Sequence, residues 1–173
     1  MIVEAATPSD FPAIAELNVE AYRQFAAQVS PAAWQAMQRN LRAVEIVAER
    51  AQFLVVRGDA QLAGSVAYCP AGLSDATIFP ADWPSVLLLA VAPRWRGHGI
   101  AQELVQACIH RARHDGAPVL GLFTSELMTS ARRIYEALGF QQDGEIPRRH
   151  GLRYWRYRLP LVARPAANDA GGT

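Results

Sequence analysis

Cysteine is scarce: Cys69 and Cys108 are the two in the chain. Two are too few for a disulfide framework, and neither lies in a CxxC or Cys/His spacing of a zinc site. No apolar run approaches the length that crosses a bilayer, and the opening MIVEAATPSD lacks the basic n-region and apolar h-region of a secretory leader. A cytoplasmic protein is therefore expected. An excess of either charge is missing too: 17 basic and 16 acidic side chains leave a net charge of +1. Nothing global attracts nucleic acid or an anionic membrane, so any anion site must be local. The 173 residues, 51% hydrophobic and 19% charged, contain no internal repeat and no linker. One domain over residues 1–160 is expected, followed by a disordered tail, 161–173, rich in Ala, Pro, Gly and Asn.

Periodicity orders the rest. Ile2 to Ala5 suits a short strand, and Thr7-Pro8-Ser9-Asp10 starts a helix, with Thr7 as cap and Asp10 reaching back. Phe11, Ile14, Asn18, Tyr22 and Phe25 continue it at three- and four-residue steps. Ser30-Pro31 opens a second helical stretch through Trp34, Met37, Leu41 and Val44, as one helix or as two broken near Asn40. Gln52–Arg57 and Leu62–Pro70 read as a hairpin across a Gly and Asp turn. A strand over Val86–Val91 follows the aperiodic loop 71–84, and a helix with Ile100, Leu104, Cys108, Ile109 and Ala112 on one face runs to Asp115-Gly116. Cys108 on that face is a small buried hydrophobe. Val119–Thr124 is an interior strand. A last helix carries Leu127, Ala131, Ile134, Tyr135 and Leu138 to the cap Gly139, and Phe140–Ile146 pairs with Leu152–Leu159.

The stretch SVLLLAVAPRWRGHGIAQ, Ser85 to Gln102, holds the local anion site. An apolar strand ends at Pro93, turns through arginines and glycines, and enters a helix near Ile100. The first N–H groups of a helix have no intrahelical acceptor, its dipole favours negative charge, and glycine lets the backbone approach an anion closely. Gly97 and Gly99 also suit an ordinary tight turn. A dinucleotide fingerprint would need glycine at 102, where Gln102 stands, and an acid closing the next strand, which Leu122-Phe123-Thr124 lacks.

Leu89-Ala90-Val91-Ala92-Pro93, Arg96-Gly97-His98-Gly99-Ile100-Ala101 and Ala131-Arg132-Arg133-Ile134-Tyr135-Glu136-Ala137-Leu138-Gly139-Phe140 together resemble the GCN5-related N-acetyltransferase (GNAT) superfamily. Arg96-x-x-Gly99-x-Ala101 fits its cofactor motif; Arg94-x-x-Gly97-x-Gly99 matches the same letters. The first frame is preferred because it puts the last small residue inside the helix. The resemblance runs from about Ile2 to Leu159. It implies an α/β (α+β) fold with a mixed, mostly antiparallel sheet of about seven strands flanked by about four helices. It implies an N-acetyltransferase that takes acetyl-CoA as co-substrate, without a metal, and passes the acetyl group to a primary amine by direct attack.

On that resemblance, the amides from Gly97 through His98, Gly99, Ile100 and Ala101 to Gln102 hold the pyrophosphate, with Arg96 adding charge. The main chain of Leu89, Ala90 and Val91 holds the pantetheine arm. Tyr135 protonates the departing thiolate, although a tyrosine on an apolar helix face also reads as packing. Where relatives often carry Asn the chain has Thr129, whose hydroxyl replaces only part of an amide's hydrogen bonding. Arg132 can reach a phosphate or stay solvated. Phe79, Asp82 and Trp83 of the long loop are candidate acceptor-binding residues, or pack that loop onto the body. Trp34, Tyr154 and Trp155 extend a candidate aromatic wall, while Glu49, Asp75, Asp82 and Glu126 are candidate bases by acidity alone. A homodimer is expected by analogy only. The competing reading is a silent acyl-CoA sensor of the same fold.

Overall fold

The computed structural model describes residues 1–161, and the tail from 162 onward lies outside the described residues. Leu161, which composition assigns to the tail, is buried and donates its N–H to the Pro118 carbonyl at 2.9 Å. The packed domain therefore extends one residue past the expected boundary.

Among the described residues seven strands form one sheet. They are β1 (Val3–Ala5), β2 (Gln52–Arg57), β3 (Leu62–Cys69), β4 (Ser85–Val91), β5 (Val119–Ser125), β6 (Gln141–Arg149) and β7 (Leu152–Pro160). Their order is β1-β2-β3-β4-β5-β7-β6, antiparallel except where β4 meets β5. Five α-helices flank the sheet, where about four were expected: α1 (Phe11–Tyr22), α2 (Pro31–Arg42), α3 (Val44–Ala48), α4 (Ile100–His114) and α5 (Thr129–Ala137). The extra element is the single turn α3. The chain breaks at Ala43, whose ψ of 42° leaves the helical region, and not at Asn40.

Both faces of the sheet are buried, as β2 illustrates. Phe53 and Val55 point to Ile14, Leu17 and Val44 of α1 and α3, whereas Leu54 and Val56 join α4 on the other side. The α4 face buries Ile100, Leu104, Cys108, Ile109 and Ala112, the residues its period predicts. Gly64 in β3 lets α4 come close: a Cβ there would stand 2.7 Å from Ile100 and 3.2 Å from the Ala90 carbonyl. The first helix enters through a 3-10 turn, Pro8–Asp10, in which Asp10 accepts from the Thr7 N–H at 2.9 Å. The Arg57 guanidinium grips both Asp10 oxygens at 3.0 Å, so the helix start is tied to β2.

Candidate active site

The site begins where two strands part. β4 and β5 share one parallel register pair among the described residues, Ser85 with Gly121, and β5 then follows β7 along its whole length. A bulge turns β4 aside: Leu88 and Leu89 together face the single residue Val66 of β3. Leu88 sits at φ 52°, a left-handed conformation a leucine adopts only under constraint from its surroundings. The edge of β4 from Leu87 to Val91 therefore faces a gap, and the Leu89 carbonyl accepts from the Tyr22 hydroxyl at 3.3 Å.

Two cavities open from this gap. The first, about 510 Å³, is lined by Leu89, Ala90 and Val91 of β4, by Arg96, Gly97, Gly99, Ile100, Ala101 and Gln102, and by Leu127 to Ala131 at the start of α5. Gly97 and Gly99 have φ of 78° and 77°, and a Cβ on either would meet no protein atom within 4 Å. Backbone conformation demands glycine at both positions, and the space beside them is open. The first bond back into α4 is from the Glu103 N–H to the Gly99 carbonyl, at 3.0 Å. The N–H groups from Gly97 to Gln102 find no acceptor among the described residues, so this loop and helix end make an anion cradle.

Arg96 lines the cradle and donates to the Ala21 carbonyl at 3.0 Å, tying the loop to α1. Arg94 points elsewhere, to the Gln61 side chain at 2.6 Å, so the frame built on Arg96 is the one that faces the cavity. The His98 side chain turns back from the cavity: Nδ1 lies 3.1 Å from the Trp95 carbonyl, and its ring stands edge-on to that indole. Thr129 lines the cavity at the first turn of α5. The structure draws Arg132 away. Its Nε donates to the Tyr157 hydroxyl at 3.1 Å, its guanidinium lies 4.9 Å from the Trp155 ring, and it does not line the cavity.

The second cavity, about 380 Å³, adjoins the first through shared residues Tyr22, Phe25, Leu89, Leu127 and Met128. Tyr135 lines it. Burial pushes the Tyr135 phenol well above its ordinary pKa, so it stays protonated through the neutral range. Phe140 and Tyr157 hold the ring, at centroid distances of 5.9 and 6.5 Å. Its hydroxyl has no hydrogen-bond partner among the described residues and is free to donate into the cavity.

The acceptor-side residues expected from sequence are mostly elsewhere. Phe79 and Trp83 are buried with Ile78 against Val119 and Phe123, in close contact with Gly121, and line neither cavity. They pack the loop, and Arg156 fastens it by donating to the Ile78 carbonyl at 2.8 Å. Asp82 is exposed and also lines neither cavity. Of the candidate bases, Glu126 accepts from the Arg153 N–H at 3.1 Å and Asp75 from the Thr77 hydroxyl at 2.6 Å; neither these nor Glu49 reaches the lining. The Tyr154 ring of the candidate aromatic wall does reach it.

Sequence reasoning missed Arg50, Arg149 and His150, all of which line the second cavity. His150 stands in the turn between β6 and β7 at φ 54°. Burial, and then the neighbouring Arg149, lower its pKa below the ordinary imidazole value. The one signal in the sequence was a histidine before glycine in a hairpin turn, which looks like any solvent-facing loop. Among the described residues no group of three or more His, Cys, Asp or Glu could hold a metal ion, and no helix is long and apolar enough to cross a membrane.

A parted pair of strands with an amide cradle at one end defines a cleft along a sheet edge suited to an anionic ligand. The chain belongs to the acetyltransferase (GNAT) domain family, whose model matches residues 13–161. It is similar to rat N-acetyltransferase family 8 member 2, 34% identical over 84 residues, which is 44% of this chain and 37% of that relative. The curated relatives it matches are covered over only 25% to 37% of their own length. Among solved structures, the PaiA N-acetyltransferase of Thermoplasma acidophilum in complex with coenzyme A superposes with a TM-score of 0.73 at 15% identity, over 93% of this chain and all of that one. The yncA protein of Salmonella typhimurium, solved with its cofactor acetyl-CoA, superposes with a TM-score of 0.66 at 18% identity, over 98% of each chain. At these identities the structural likeness establishes the fold.

Proposed function

We propose that the protein is an N-acetyltransferase that moves an acetyl group from acetyl-CoA to a primary amine within a ternary complex. The carrying observation is the junction of the two cavities at the free edge of β4, with unpaired amides at one end and an unpaired, protonated Tyr135 hydroxyl on the other side. Membership of the acetyltransferase domain family and the coenzyme complexes of the two structural neighbours support the choice of cofactor. The amides of Gly97 to Gln102 bind the pyrophosphate with Arg96 beside them, and the backbone of Leu89 to Val91 orients the pantetheine arm.

The amine nitrogen attacks the thioester carbon from the second cavity. A C–N bond forms, the C–S bond breaks, and the departing thiolate takes the Tyr135 proton. With no carboxylate lining the cavity, His150 is the group that takes the amine proton; its lowered pKa keeps it neutral and able to do so. The net result is transfer of one proton from amine to thiol.

Thiol release from acetyl-CoA across a panel of amines tests the proposal. Background is low in principle, because the chain contains no lysine to acetylate itself. Release that depends on added amine and falls in Tyr135→Phe is expected. Tight CoA binding with no release on any amine would identify a silent acyl-CoA sensor instead.

A further inference from the structure

Two arginines, and no aspartate or glutamate, line the second cavity. Arg50, after α3, and Arg149, at the end of β6, both line it, within walls that include Met37, Leu87 and Phe123. We infer that the acceptor is a primary amine that also bears a carboxylate and an apolar side chain, as a free hydrophobic amino acid does, with Arg50 and Arg149 receiving the carboxylate. This rests on the acetyl-transfer reading and narrows its substrate class.

The charges around the two arginines do not cancel. The acid beside them is Asp75, whose Oδ2 lies 3.9 Å from Arg149 while Oδ1 accepts from the Thr77 N–H and hydroxyl. Asp75 does not line the cavity, and one carboxylate set against two guanidiniums leaves one positive charge. Arg50 donates to the Leu73 carbonyl at 3.4 Å and has no carboxylate within ion-pair reach among the described residues. The other titratable groups on the lining are the phenols of Tyr22, Tyr135 and Tyr154, all held neutral by burial, and His150, whose pKa is lowered; the remaining polar side chains there, Asn40, Thr124 and Ser125, carry no charge.

Such a cavity is a poor host for an amine that brings only positive charge. A polyamine or a lysine side chain would meet two cations and no counter-charge, whereas a carboxylate offers each guanidinium a fork of matched acceptors. Arg149 is already oriented for this. Its guanidinium carbon lies 4.9 Å from the Phe123 ring centre, so one face is covered by the aromatic, and apart from the 3.9 Å approach of Asp75 its N–H groups make no side-chain hydrogen bond among the described residues. The same positive field lowers the pKa of a bound ammonium and favours the neutral amine that attacks. The apolar walls then have a side chain to bury.

The test compares initial rates of thiol release for L-phenylalanine, L-phenylalaninamide, phenethylamine and spermidine with the wild-type chain and acetyl-CoA. The free acid is expected to exceed the amide and the simple amine in kcat/KM by roughly tenfold to a hundredfold, the worth of a charge-assisted contact. Competition by 3-phenylpropionate against the amino acid is expected as well. Arg50→Gln and Arg149→Gln should erase the preference, with CoA affinity by calorimetry confirming folded protein. Turnover of the amide, phenethylamine or spermidine at least as fast as the acid overturns the inference and leaves acetyl transfer standing. No release with any amine, beside intact CoA binding, overturns the transfer reading and this inference with it.

Discussion

Replacing Gly99 with valine separates the anion cradle from the fold that carries it. Gly99 has φ 77° and ψ 6°, and a Cβ there meets no protein atom within 4 Å. The cost to folding is thus conformational alone, about 1–2 kcal/mol for a side chain forced into the left-handed region. For a domain of this size that lowers Tm by roughly 2–8 °C. The cost to cofactor binding should be larger, because the new side chain occupies the open space in front of the unpaired amides. Losing one or two charge-assisted hydrogen bonds at about 1.5–3 kcal/mol each weakens CoA binding by roughly tenfold to more than a thousandfold. The control is Gly144→Val: Gly144 also has positive φ, 90°, with open space around it, but it lies in β6 and lines neither cavity. Thermal melts should fall similarly for both variants, and calorimetry with CoA should distinguish them. Equal CoA affinity for Gly99→Val and wild type, in a folded protein, would refute the cradle.

Tyr135→Phe removes only the hydroxyl that faces the second cavity; kcat should fall by roughly a hundredfold to ten-thousandfold, the usual worth of a positioned acid, while CoA affinity by calorimetry stays near wild type. His150→Gln should abolish the acid limb of the kcat/KM profile expressed per neutral amine, which in wild type has its midpoint below the ordinary imidazole value of about 6.5 because burial and Arg149 depress that pKa; a limb that survives the substitution after this correction for substrate ionisation removes His150 from the proton path. Gly64→Val should cost about 1–3 kcal/mol in urea melts, since its Cβ lands 2.7 Å from Ile100 and 3.2 Å from a backbone oxygen. The Arg57 contact lowers the Asp10 pKa to about 2, so the pair's contribution is complete above the unfolded value near 4 and lost as pH falls through 2. Asp10→Asn should therefore cost roughly 1 kcal/mol at pH 7, after screening, and almost nothing at pH 2.

What the sequence made legible is what short-range physics governs. The face of α4 follows from spacing, and so do Ile14 and Asn18 of α1, although Phe11 and Tyr22 are only half-buried and Phe25 lies beyond the helix in a 3-10 turn. The capping contact of Asp10 on Thr7 follows from a four-residue string, and the positive φ of Gly97 and Gly99 from the demand of a strand-to-helix turn. Helix breaks were less visible. Nothing about Ala43, a strong helix former, marks it as the place where α2 ends, because the break serves Val44, which must turn into the core beside Phe53. Phe79 and Trp83 misled for a related reason. An aromatic pair in a long loop looks the same whether it faces a ligand or a glycine, and only Gly121, some forty residues later, decides in favour of packing.

The acceptor side was illegible because no single stretch builds it. Its lining comes from α1, α2, the turn after α3, β4, β5, α5 and the β6–β7 hairpin, and those elements converge only once the bulge at Leu88 has turned β4 from β5. In the string Val86-Leu87-Leu88-Leu89 the residue that carries the strain is one leucine among three, so period and composition are silent about it. Once that turn is made, one strand edge faces both cavities, and a carrier laid along it must end beside whatever the hairpin presents. The hairpin presents Arg149 and His150. On the acetyl-transfer reading, the cofactor half is thus carried by a short motif, while the choice of amine would rest on side chains whose sequence neighbours have no part in the chemistry.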